Sequence, residues 1–128
     1  MTSTTATAHT LTVGQVAEAS GVATSAVRFY ERQGLLTSLR TSGNQRRYDE
    51  YAPCMVRICR VAQRVGLTVQ EVVALFEALP AEPTKADWQS LTEQLVSAAE
   101  GRIFELRQAL NDLGSGQPLC KLPVAGEA

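Results

Sequence analysis

Apolar positions recur at helical spacing in five stretches of the chain, separated by glycine and proline breaks. In the first, Val13, Val16 and Ala17 fall at i, i+3 and i+4 behind Thr12, which forms a capping-box pattern with Gln15; Leu11 is placed as a staple residue. This predicts a short helix ending at Ser20-Gly21, where glycine can take the left-handed conformation that turns a chain sharply. Val22 follows as a buried turn residue. The second helix is expected to start near Thr24 or Ser25, either of which can cap it, to run to about Gln33 and to stop at Gly34. Ala26, Val27 and Tyr30 pack inward in this reading, while Thr24, Ser25 and Arg28 look outward.

Leu35 to Tyr48 breaks the helical pattern. Ser42-Gly43-Asn44 marks a tight turn between two short strands, with Arg40, Arg46 and Arg47 around it. A third helix is then expected, capped by Asp49 or Glu50 and with Pro53 in its first turn. Its stripe is Met55, Ile58, Cys59, Ala62 and Val65, with Arg57, Arg60 and Arg64 on the outer side and Gly66 at its end. Thr68 with Glu71 opens a fourth helix carrying Val72, Val73, Leu75, Phe76 and Leu79, and Pro80 and Pro83 bracket a turn. Thr84 with Asp87 opens the longest run, 84–113, about 45 Å if continuous. Trp88, Leu91, Leu95, Ala98, Ala99, Ile103, Leu106, Leu110 and Leu113 form a coiled-coil-like stripe with a slip near Ala99. So small a head cannot cover such a stripe, and the chain lacks the residues for an intramolecular hairpin, so a partner helix from a second subunit is expected. Residues 1–10 read as a frayed arm. Residues 114–128, rich in glycine and proline, read as loop and free end without regular structure.

Charge changes the picture of the first half. The chain as a whole is at −1, but residues 1–66 hold eight arginines against Glu18, Glu31, Asp49 and Glu50, a balance of +4, and residues 67–128 stand at −5. A basic head on an acidic tail suits a polyanion partner. Two helices about a turn, followed by an arginine-rimmed hairpin, are the build of a DNA-reading head whose wing pairs guanidinium groups with phosphates. A solvated hairpin would explain the Gly-Asn turn but not its nearly uniform positive charge. A dimerising module whose basic head binds an acidic protein surface is the alternative from another class.

Candidate chemistry is sparse. The single histidine, His9, falls in the arm, and no nucleophile–base set can be assembled, so an enzyme is not expected. No run approaches the ~18 apolar residues of a membrane span, and the first residues lack the charged and apolar regions of a secretory signal. Three cysteines without framework spacing fit a reducing cytosol, so a cytoplasmic protein is expected. Cys54 and Cys59, five apart on one helix, point about 140° away from each other. Cys59 reads as core. Cys120 alone cannot set a zinc or iron–sulfur site, which leaves a one-thiol redox or electrophile sensor, a ligand to a shared metal, or no role.

The segments LTVGQVAEASGV, VRFYERQGLL, RTSGNQRRY and RVAQRVG, followed by Leu79-Pro80 and Trp88, resemble the MerR family of bacterial transcription regulators, and more narrowly its SoxR-like branch, over nearly all of Leu11 to Leu113. The resemblance implies a mainly α fold: a winged helix-turn-helix head with linker helices over 11–80, and a long C-terminal helix over 84–113 forming an antiparallel coiled-coil homodimer. It implies a two-fold-symmetric promoter whose −35 and −10 elements stand too far apart. An effector makes the bound dimer distort that DNA so that RNA polymerase engages both elements. By position, Thr24, Ser25 and Arg28 would meet the major groove and Tyr30 the DNA backbone, while Arg40, Asn44, Arg46, Arg47 and Tyr48 would belong to the wing and its contacts. Trp88 matches a tryptophan that packs near the partner's sensor site.

The departure from that pattern concerns the input. SoxR-like regulators carry CxxCxCxxxxxC after the long helix to hold a [2Fe–2S] cluster, whereas this chain has GSGQPLCKLPVAGEA, with Cys120 alone. The two-cysteine loop of metal sensors is missing as well. No iron–sulfur or metal cofactor is therefore expected. A small organic effector near Phe76, Leu79 and Trp88 becomes the expected input, although the same three residues also read as plain core.

Overall fold

The computed structural model describes residues 9–124. It places a strand where the frayed arm was expected: β1 (His9–Leu11) pairs antiparallel with β3 (Arg46–Asp49), and β2 (Ser38–Arg40) pairs with the other edge of β3, giving the order β1-β3-β2. A three-residue strand has too few positions to show a period, and the open edge of β3 supplies its backbone partners. The rest of the expected arm lies outside the described residues.

α1 (Val13–Ser20) opens on the expected capping box: the Gln15 amide donates to Thr12 Oγ1 at 3.1 Å and the Thr12 amide to Gln15 Oε1 at 2.9 Å. Such a cap stabilises a helix by about 1 kcal/mol. Gly21, at φ 74°, closes the helix, and Val22 is half-buried rather than buried. α2 (Thr24–Arg32) starts at Thr24, as expected, but neither Thr24 nor Ser25 is its cap. Its cap is Ala23, which contributes no side-chain bond, so both hydroxyls sit inside the first turn, exposed. α3 (Ala52–Arg64) follows Tyr51 and has no side-chain cap. Asp49 instead accepts the Tyr51 amide at 2.8 Å, shaping the turn before the helix, and Glu50 is exposed.

The core lies where α1, α2, α3, α4 (Val69–Phe76) and the inner face of β3 meet, with Val16, Val27, Tyr48, Val56, Cys59 and Val72 shut off from solvent. On α3 the buried face is Ala52, Val56, Cys59 and Ala62; Met55, Ile58 and Val65 flank it, half-buried. The expected stripe was thus rotated by part of a turn, because its start was taken from Met55 rather than Ala52.

α5 (Lys85–Leu113) resolves the slip near Ala99. Up to that point Trp88, Leu91, Leu95 and Ala98 pack against the head. Beyond it Ile103, Leu106, Leu110 and Leu113 are 38%, 49%, 68% and 61% exposed. The slip is where the helix stops burying one face on its own head and turns another face outward. Arg102 sits just past this change, donating to the Gly66 carbonyl, to Glu71 Oε2 at 2.7 Å and to Glu105 Oε1 at 3.0 Å. Gly66, at φ 94°, makes the α3–α4 turn that offers its carbonyl, and a Cβ there would lie 3.6 Å from Arg102 Cγ. After α5 the chain forms a 3-10 turn at Leu119–Lys121, so the tail is not wholly irregular. Prolines fix backbone angles as well as break helices, and Pro118 initiates this turn.

Candidate nucleic-acid interface

The outward side of α2 and the hairpin β2–β3 enclose a groove of about 370 Å³, lined by Arg28 from α2, Thr12 and Val13 from the start of α1, and Arg40, Asn44 and Arg46 with Arg47 from the hairpin. Four arginines therefore line one concave surface. Among the described residues no carboxylate forms an ion pair with Arg28, Arg40 or Arg47; only Arg46 is so paired. Three unpaired like charges beside a fourth that is paired leave a net positive field that favours a polyanion.

The hairpin tip is built to hold those groups in place. Asn44 adopts φ 64°, one of the few non-glycine residues to tolerate that region, and its amide donates to the Thr41 carbonyl at 2.8 Å. Arg40 reaches across the tip to the Asn44 carbonyl at 3.1 Å and to its side-chain oxygen at 3.3 Å. Arg47 donates to the Arg46 carbonyl and to Gln45 Oε1, both at 3.1 Å. Each guanidinium keeps further donors for phosphate oxygens, since arginine carries five N–H groups. On α2, Thr24, Ser25 and Arg28 are exposed along one side, where an inserted helix would meet base edges. A second basic surface lies on α3, where Arg57, Arg60 and Arg64 border a groove of about 540 Å³ with Ser20 and Gln63.

Two aromatic residues expected to touch DNA do not lie on this surface. Tyr30 is 3% exposed and gives its hydroxyl to Gln63 Oε1 at 2.9 Å, tying α2 to α3. Tyr48 is fully buried and gives its hydroxyl to Glu31 Oε1 at 2.7 Å. A phenol buries a large apolar ring if its one polar tip finds a partner, and both do so inside the head. Burial pushes the Tyr48 phenol up to about 12, and the adjacent Glu31 carboxylate reinforces the shift.

Sequence reading missed the residue that joins helix to hairpin. Glu31, in the last turn of α2, accepts from Ser38 of β2 and Tyr48 of β3 and pairs with Arg46 Nε at 3.3 Å. Partial burial works to raise its pKa, but the hydrogen bonds from Ser38 and Tyr48 and the Arg46 charge outweigh it and hold the carboxyl below its usual range. The visible signal was only an acid inside a run of arginines.

The three expected effector residues are not brought to one cavity. Phe76 is core at 7% exposure, and Trp88 packs against the Tyr51 ring at 5.6 Å between centroids. Leu79 borders a space of only about 50 Å³, far below the few hundred Å³ of a small-molecule site. Their apolar character is used in joining α4 and α5 to the head. The larger apolar cleft, about 460 Å³, lies elsewhere, between Ile58, Val61 and Val65 of α3 and Leu95, Val96 and Ala99 of α5. Cys54 and Cys120 are exposed, and burial pushes the Cys59 thiol up to about 11.

Comparison with known proteins places this geometry. The pattern described as MerR family regulatory protein matches residues 12–48, the span from the first cap to the end of the basic hairpin. An HTH-type transcriptional activator SoxR homolog from Chromobacterium violaceum is 37% identical over 108 residues, 83% of this chain and 73% of that protein. A mercuric resistance operon regulatory protein from Serratia marcescens is 35% identical over 104 residues, 80% of this chain and 67% of its own length. Among solved structures, HiNmlR, a MerR family regulator lacking the sensor domain and bound to promoter DNA, shares the fold at a TM-score of 0.52 and 23% identity, over 83% of this chain and 86% of that one.

Proposed function

This chain belongs to the MerR family of transcription regulators, and from that premise we propose that it works as a homodimer that activates a promoter with an over-long spacer. The groove of four arginines between α2 and the hairpin carries the DNA-binding part of the reading. Thr24, Ser25 and Arg28 enter the major groove. Arg40, Asn44, Arg46 and Arg47 hold the flanking phosphates.

The dimer rests on the far half of α5. Val96, Ala99, Ile103, Leu106, Leu110 and Leu113 follow one another at 3, 4, 3, 4 and 3 residues, a spacing that reads the same in both directions. A second copy laid antiparallel about a two-fold axis between Ile103 and Leu106 therefore puts Leu110 on Ala99 and Leu113 on Val96. Those two receiving positions also line the apolar cleft beside α3, so the partner's leucines have a place to go. Two heads fixed by one axis read a two-fold-related site. RNA polymerase is the partner that benefits once the bound DNA is distorted.

The test starts from duplexes selected out of a randomised pool by the wild-type protein. Enrichment of a two-fold-related sequence is expected, with two chains per duplex. Run-off transcription should then rise on a promoter with a long spacer and not on one whose spacer has been shortened. A protein that enriches no sequence sinks the DNA-binding reading, and one that lowers transcription from both promoters sinks the activator reading.

A further inference from the structure

A carboxylate paired with one of the four groove arginines weakens the field a DNA-binding groove needs, so Glu31 calls for an account. It sits one turn after Arg28 on α2, and the three groups that meet it come from both strands of the hairpin. Ser38 of β2 donates to Oε2, Tyr48 of β3 donates to Oε1 at 2.7 Å, and Arg46 of β3 pairs with Oε1 at 3.3 Å. One side chain thus closes a ring from α2 through β2 and β3 and back. The hairpin cannot tilt or slide along α2 without breaking at least one of these bonds. Glu31 is half-buried and Tyr48 is fully buried, so water replaces these contacts poorly and the joint is stiff.

We propose that Glu31 is a specificity-determining positioning residue: it fixes the distance between Arg28 on the reading helix and the arginines of the hairpin. It does not touch DNA. It makes base reading by α2 and phosphate binding by the hairpin depend on each other, so that only a duplex presenting both at the right separation collects all the contacts. On a scrambled duplex α2 finds no matching base edges, and the phosphate contacts that remain do not need a fixed separation. Glu31 therefore favours the correct site while its negative charge slightly disfavours DNA in general. This inference rests on the DNA-binding reading above, and on the groove rather than on dimer contacts.

The experiment compares Glu31→Gln with Glu18→Gln in the full chain. Both remove one negative charge from the head; Glu18 lies exposed on α1 and enters no ion pair among the described residues. Affinity is measured for a duplex selected by the wild-type protein and for a scrambled duplex of equal length and composition, at several salt concentrations, after titration of the active fraction. Glu31→Gln should lower the ratio of the two affinities about tenfold or more while leaving scrambled binding equal or tighter. Glu18→Gln should keep the ratio within about twofold. Ser38→Ala, which keeps the carboxylate and removes one of its three partners, should give an intermediate ratio and protects the test if Glu31→Gln folds poorly. An unchanged ratio in both Glu31→Gln and Ser38→Ala overturns the proposal. Equal loss on both duplexes overturns it as well, since that is the result of a merely damaged fold. If the wild-type protein selects no duplex, the DNA-binding reading itself falls and this inference with it.

Discussion

Leu110→Ala tests the dimer seam at its most exposed leucine. Leu110 is 68% exposed in the single chain, so roughly two thirds of its burial energy is still to be gained. Full burial of a leucine side chain is worth about 1.5–3 kcal/mol; the unrealised part is about 1–2 kcal/mol per copy. An antiparallel pair contains the position twice, so one substitution removes about 2–4 kcal/mol from the dimer. At about 1.4 kcal/mol per tenfold, the dissociation constant should rise between about thirty-fold and several hundred-fold. Sedimentation equilibrium over a wide concentration range measures it directly. Leu39→Ala is the control: Leu39 is 59% exposed, but it lies on β2 and off the seam, so the same chemical change should leave association untouched. The reasoning fails if Leu110→Ala stays folded with an unchanged dissociation constant, or if Leu39→Ala weakens association equally.

Three further outcomes follow from the head. Arg47→Ala removes one arginine from the groove; if it binds phosphate as proposed, the slope of log affinity against log salt should fall by about one on selected and scrambled duplexes alike, and an unchanged slope removes Arg47 from the interface. Tyr48 is pushed from 10.0 to about 12 by burial and by Glu31, which favours the neutral phenol in the folded state. Its contribution to stability is complete below about pH 10, the unfolded value, and is lost as pH rises through 12; urea midpoints should decline across that window, and less steeply in Tyr48→Phe. Cys59 is buried with its thiol pushed up to about 11, whereas Cys54 and Cys120 are exposed. A thiol reagent at mildly alkaline pH should therefore modify two groups quickly and the third only as fast as the chain opens, and three equal rates would contradict the assigned burial.

What could be read from the chain beforehand depended on sequence distance. The capping boxes at Thr12, Thr68 and Thr84 each involve a partner three residues on, and all three form with both bonds. The start of α2 at Thr24 was legible, but its cap was not, because Ala23 has no side-chain group to announce it. β1 was missed because a three-residue strand exists only through an edge more than thirty residues away. The slip near Ala99 was visible as a break in spacing, but its meaning depends on where the head ends against α5, which Arg102 and Gly66 mark across 36 residues.

The same distance rule explains the division between tyrosines and arginines at the candidate site. Arg28, Arg40, Arg46 and Arg47 were legible because a cluster of positive charge must face solvent or a polyanion wherever the backbone runs. Tyr30 and Tyr48 were not, because a tyrosine is stable outside or inside, and only the partner of its hydroxyl decides which. Those partners, Gln63 and Glu31, stand 33 and 17 residues away. Once both hydroxyls are satisfied internally, neither ring reaches the groove. If the head binds DNA as proposed, its sequence preference is expected from Thr24, Ser25 and Arg28 on α2, and from how firmly Glu31 holds the hairpin at a set distance from them.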